Sequence, residues 1–304
     1  MTHLGVRAFK QAKPRSRATL LDMPEPSQPT SSRLVLMFAG LTLVVAHWLS
    51  TGSRWIFYPF TLLGTWVHEM GHGITALLVG GSFSSLDVFA DASGLAHVSY
   101  SPGLASALVA AGGLLAPPAV GAAILALARG PRRAQIILWA LSITIAISLL
   151  FWVRSLAGWL VMPLLALAIA AFARYGNDKT RLFVAQLLGL LLALDTWKGL
   201  GYLFTPSAVI DGVTRTSDIQ AIADALLLPY PIWGALLAII SLGLLGAGLV
   251  FAFRPNASAT QRKIPSLGVP SPTSLRIGDV GSAHLDEEED TSSTRSSSVS
   301  ARRK

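Results

Sequence analysis

The chain of 304 residues contains no cysteine, which excludes disulfides and thiolate metal sites. Charge is scarce as well. Only 13% of residues are Asp, Glu, Lys or Arg, about half the ~25% of a soluble domain. Glutamate is almost missing from the middle of the chain, where Glu69 stands alone between Glu25 and Glu287. A metal held there must therefore rely on histidine and aspartate. Residues 1–33 have neither the short apolar core nor the small-residue cleavage site of a signal peptide. No basic stripe interleaved with aromatics is present, so the net charge of +8 fits contact with anionic lipid headgroups and not nucleic acid.

What remains is oily: 52% of the residues are apolar, arranged in long blocks. Residues 34–50, 55–79, 104–128, 134–153, 156–173, 182–204 and 230–252 each approach or exceed the ~20 apolar residues that cross a bilayer. The expectation is an all-α polytopic membrane protein with about seven transmembrane helices. Arg154 and Ser155 either separate two helices or sit in one bent pair. Residues 1–33 read as a flexible basic N-terminal tail and 34–253 as one membrane domain. Residues 254–304, rich in Ser, Pro and Arg with the acidic cluster "DEEED", read as a disordered tail. A basic N-terminus kept inside would leave "RGPRR" (129–133) outside if all seven blocks cross, against the positive-inside rule. Either one block does not cross or the rule is broken.

Residues 80–103, "GGSFSSLDVFADASGLAHVSYSPG", are too polar to span. Weak alternation around "SLDVFAD" and "GLAHVSY" fits two short strands joined at "DASG", and an ordinary exposed loop fits equally well. As a hairpin, the segment would lie beside protein or a wet cavity at membrane depth.

His68, Glu69 and His72 form HExxH inside "GTWVHEMGHGITALLVGG". On a helix, residues four apart share a face, so both imidazoles reach one ion. Glu69 projects beside them, placed to take a proton from an attacking water, as in zinc hydrolases. Ionisable residues inside spans cost roughly 2.5–3.5 kcal/mol each on insertion scales, so three in five residues point to a site.

A hydrolytic zinc site needs a third protein ligand and an open position. Asp195 lies deep in "LLGLLLALDTWKGLGYLF", where a carboxylate is expensive unless it faces a positive charge. Zinc would serve, and so would Lys198, three residues on. Asp211, in "PSAVIDG", and Asp218, in "TRTSDIQAIAD", are further candidates in a more polar stretch. Asp218 could instead cap "SDIQAIADALLL". His47 and His97 read as structural. On burial, Asp195 leads.

"HEMGHGITALLVGG", "SGLAHVSY", "AGGLLAPPAVGA" and "SDIQAIADALLLPYPIW" together resemble the site-2 protease family of intramembrane zinc metallopeptidases, most closely its compact branch without a PDZ domain, which occurs in bacteria and plants. The resemblance implies Zn²⁺ as cofactor, His68 and His72 as ligands with a distant membrane aspartate, and Glu69 as the catalytic base. The broader family's Asn-x-x-Pro-x-x-x-Leu-Asp-Gly motif matches Pro206, Ile210, Asp211 and Gly212 by position, but Leu203 stands where asparagine belongs. In the compact branch an aspartate in the preceding apolar helix is the better counterpart, which favours Asp195. The implied partners are a membrane-protein substrate and the lipid bilayer, and the implied location is a bacterial inner membrane. An inactive relative acting as a membrane scaffold or chaperone is the alternative. A transporter would show paired broken helices in two similar halves, and the sequence has no internal repeat.

Overall fold

The computed structural model describes residues 54–254, together with the isolated positions Phe38, Gly40, Leu41, Thr42 and Val45. The expected tails at 1–33 and 254–304 lie outside the described residues, Arg254 excepted, as does most of the 34–50 block.

The HExxH segment lies on α1 (Arg54–Leu78). A two-stranded antiparallel hairpin follows, β1 (Ser82–Val88) and β2 (Gly94–Ser99). Three long helices come next: α2 (Leu104–Leu127), α3 (Pro131–Phe151) and α4 (Leu156–Tyr175). Then come α5 (Asp178–Ala193), a short helical turn at Asp195–Lys198 and a 3₁₀ turn at Leu200–Phe204. A second hairpin, β3 (Ser207–Ile210) and β4 (Val213–Thr216), leads into the amphipathic α6 (Asp218–Leu226) and the long α7 (Tyr230–Phe253).

Helix α2 is the hub, packing against α1, α5, α6 and α7. Its small residues allow this. A Cβ added to Gly71 of α1 would lie 2.5 Å from the Gly112 carbonyl oxygen and from Ala116 of α2, so the two backbones approach as membrane helices with small residues at the contact do. Leu62, Leu63, Trp66 and Val67 turn the other side of α1 into the main core against α3, α4 and α5, and Trp66 Nε1 donates to Ser148 Oγ at 2.9 Å.

Four helices are long and apolar enough to cross a membrane: α2, α3, α4 and α7. They leave large apolar side chains outward, among them Leu150, Leu156, Leu160, Leu164 and Ile239, a surface suited to lipid. Seven spans are not found among the described residues, for two physical reasons. The polar HExxH triad lowers the hydropathy of α1. The 182–204 block is not one helix, because α5 has 16 residues and ends at Ala193, about 24 Å of helix against a core of ~30 Å. The Arg154–Ser155 break, by contrast, does separate two helices. The intervening strand-like segment closes the outer edge of the first hairpin: Leu86 N–H donates to Trp152 O at 2.9 Å and Leu86 O accepts from Arg154 N–H at 3.0 Å. Phe83 stacks on Trp152 with ring centroids 5.2 Å apart.

The second hairpin was not expected. Ile210 pairs with Val213, so Asp211 and Gly212 form a two-residue turn with φ of 49° and 73°. That is the Asp-Gly turn whose twist suits a tight hairpin. Nor does Asp218 cap α6. Ser217 does, its side chain accepting from Gln220 N–H at 3.3 Å, which leaves the carboxylate one residue on free to point elsewhere.

Candidate metal centre

The helical spacing of HEMGH sets the first two donors. His68 and His72 lie one turn apart on α1, their Nε2 atoms 3.0 Å from each other. The Nδ1–H of His72 donates to the Val109 carbonyl of α2 at 2.9 Å, so its Nε2 keeps a lone pair directed at the cleft, the usual arrangement for a metal-binding histidine. Helix α2 lets the ring lie there because it carries glycine opposite. A Cβ on Gly113 would sit 2.3 Å from His72 Nε2. Gly113→Val is therefore expected to displace the imidazole and abolish zinc retention with the chain still folded, checked by elemental analysis beside a circular-dichroism spectrum.

A third possible donor comes from the first turn of α6, 150 residues away in sequence. Asp218 Oδ2 lies 3.1 Å from His68 Nε2, and its Oδ1 lies 3.4 Å from His72 Nε2. Burial alone would push the Asp218 carboxyl up, but the facing imidazoles outweigh it and hold the group well below the ordinary carboxylate range. The three residues offer ligand atoms within 4.8 Å of one another.

These residues fit zinc. Donor atoms about 2.0–2.1 Å from an ion at tetrahedral angles lie about 3.3 Å apart. The imidazole nitrogens are 3.0 Å apart, and the carboxylate approaches them at 3.1 Å through Oδ2 and 3.4 Å through Oδ1, contacts near that value on two different oxygens. Two imidazole nitrogens and one carboxylate oxygen also form the donor set that leaves a fourth position open.

Glu69 is 5% exposed and packs under β2. A Cβ on Gly94 would fall 2.6 Å from its Oε1, and the Ala96 backbone N–H faces its carboxylate. The strand meets the cleft by its edge. Because the polar backbone groups of Leu86 bond outward to 152–154, those of its register partner Ala96 point the other way, off the free edge of β2. The Val88 N–H, bonded to Ser155 Oγ, puts its partner Gly94 in the same outward phase. The cleft measures about 570 Å³ and is walled by α1, β2, β3, β4, α2 and α6.

Of the residues expected from sequence, the structure brings His68, His72 and Glu69 together with Asp218, one of the three candidate aspartates. It does not bring Asp195 into the group. Asp195 lines the same cleft against Gly64, where an added Cβ would lie 2.7 Å from its Oδ1. Gly64 is four residues before His68, about 6 Å along the helix. Asp211 sits at an exposed hairpin tip, its N–H donating to Ser93 Oγ at 3.2 Å. Tyr202, which the sequence did not single out, donates its hydroxyl to Asp218 Oδ2 at 2.9 Å.

The model of the Peptidase M50B-like family matches residues 36–248. The chain belongs to that family. It is the site-2 protease-like family that the HEMGH segment resembles, and among the described residues there is no PDZ domain. No curated protein and no solved structure matches the chain. The family is one of metallopeptidases, the His-His-Asp group is present, and the four apolar helices accord with an integral membrane protein.

Proposed function

We propose that the chain is a multi-pass zinc metalloendopeptidase that hydrolyses peptide bonds of membrane-associated proteins, with His68, His72 and Asp218 holding the ion and Glu69 as general base. The observation that carries this reading is the convergence of the two HExxH histidines on Asp218 beside a buried glutamate. Asp218 takes the place that sequence burial assigned to Asp195. A zinc ion held there supplies Lewis acidity toward a peptide carbonyl and lowers the pKa of water.

The chain's own groups do the rest. Val109 holds the His72 ring by its Nδ1–H. Glu69, under Gly94 and Ala96, takes a proton from the attacking water and passes it to the leaving amine nitrogen. The outward backbone groups of Gly94 and the outward carbonyl of Ala96 offer an edge on which an extended substrate segment adds as a strand. A helical substrate must unwind first, since its carbonyls are otherwise committed to helical hydrogen bonds. The apolar outer faces of α2, α3, α4 and α7 support a bilayer setting for this chemistry, and the family resemblance implies the bacterial inner membrane.

The test is zinc content by elemental mass spectrometry on detergent-purified protein, beside hydrolysis of a quenched-fluorescence library of extended peptides. About one zinc per chain, with hydrolysis that a chelator stops and added zinc restores, is the expected result. Zinc without turnover would favour the scaffold alternative. A folded chain that takes up no zinc would remove the metallopeptidase reading.

A further inference from the structure

We propose that Tyr202 is a positioning residue for Asp218, its hydroxyl holding the carboxylate in the orientation that faces both histidines. This inference rests on the reading of His68, His72 and Asp218 as a zinc site.

The contact is reciprocal. Tyr202 O–H donates to Asp218 Oδ2 at 2.9 Å, the same oxygen that lies 3.1 Å from His68 Nε2. In return the Asp218 backbone N–H donates to the tyrosine oxygen at 3.3 Å. Among the described residues the hydroxyl makes hydrogen bonds to Asp218 alone. The fold builds this pairing across 16 residues of sequence. Ser217 ties the start of α6 to the 3₁₀ turn, with its Oγ donating to Thr205 O at 2.7 Å and its N–H to Pro206 O at 3.1 Å. Leu203, 2% exposed, pins the turn into a core shared with Ile219 and Ile222. The β3–β4 hairpin between them is thus a loop whose two ends are clamped, and the clamp brings phenol and carboxylate together.

An aspartate in the first turn of a helix has another favourable place to go. Its carboxylate can swing toward the helix's own unsatisfied N–H groups, where the macrodipole favours it. A donor on Oδ2 selects the rotamer that points into the cleft instead. Outer-shell hydrogen bonds of this kind orient metal ligands, and their loss typically weakens metal binding by 10–100-fold.

The experiment is Tyr202→Phe, which keeps the ring and removes the hydroxyl. Zinc affinity is measured by competition with a chromogenic chelator and coordination by the visible absorption of the cobalt-loaded protein, with wild type alongside. Zinc binding is expected to weaken about 10–100-fold and the cobalt spectrum to change. The thermal midpoint of the metal-free protein should stay where it is in wild type, and saturating zinc should restore hydrolysis. On an Asp218→Asn background the same substitution should add little, because the tyrosine acts through that carboxylate. Should Tyr202→Phe not fold, Tyr202→His keeps a ring of similar reach with a donor, and retained zinc affinity and an unchanged cobalt spectrum are expected of it, while affinity lost in a folded Tyr202→His would overturn the inference.

Unchanged zinc affinity with an unchanged cobalt spectrum would overturn the inference. So would full additivity of the two substitutions, or hydrolysis that stays low at saturating zinc, which would put the hydroxyl on the substrate. Failure of the parent reading looks different, since wild type itself would then take up no zinc.

Discussion

Asp218→Ala is expected to strip the purified protein of zinc, while Asp195→Ala leaves about one zinc per chain. The first substitution removes the carboxylate that, among the described residues, contacts both imidazoles, at 3.1 and 3.4 Å, and leaves two nitrogens to hold the ion. The loss should far exceed the 10–100-fold of an outer-shell change, with hydrolysis lost at ordinary zinc concentrations. Asp195 belongs to the same cleft but stands one helical turn back along α1, against Gly64. Its replacement can alter how substrate lies in the cleft without touching the ion's donors. Zinc retained in Asp218→Ala and lost in Asp195→Ala would reverse the assignment and restore the ligand that sequence burial favoured.

Sequence burial and the folded geometry favour different aspartates because of one helix end. Asp195 looked expensive because it sat in an apolar run long enough to span. That run breaks at Ala193, and Asp195 opens a short turn, so the cost that demanded a cation was overstated. Nothing local marked Asp218 as special, since its partners are 146 and 150 residues distant and its position reads equally well as a helix cap. The neighbouring serine turned out to be the cap.

The second hairpin does have a local signature. "AVIDGVT" holds Asp-Gly between β-favouring residues, the strongest short-range hairpin signal, and the same Asp-Gly also matches the family's aspartate motif by position. The HExxH helix is legible from i,i+4 spacing, while alternation and an interrupting arginine each left two alternatives, hairpin or loop and break or bend, of which the fold shows the first. What no local pattern carries is the close approach of separate elements. That α2 presents Gly113 to His72, or that Gly94 of β2 lies over Glu69, shows only once the chain is folded.

Glu69→Gln is expected to keep zinc at about one per chain while kcat falls by about 10²–10⁴-fold, the usual contribution of a general base. Glutamine has nearly the same shape, so the buried pocket under Gly94 and Ala96 stays filled and the three ligands stay put, but an amide cannot take a proton from water. Gly94→Val is the informative companion. Its added atoms would collide with the Glu69 carboxylate, 2.6 Å from a Cβ, and bulk would intrude on the strand edge. It should therefore depress turnover with zinc retained, as Glu69→Gln does, and should raise KM as well. If Glu69→Gln instead hydrolyses peptide at the wild-type rate with its zinc in place, the base must be another carboxylate of the cleft. Those lining it are Glu69, Asp195 and Asp218, and Asp218 is held between two imidazoles. Asp195 would then be the group to replace next, as a base and no longer as a ligand.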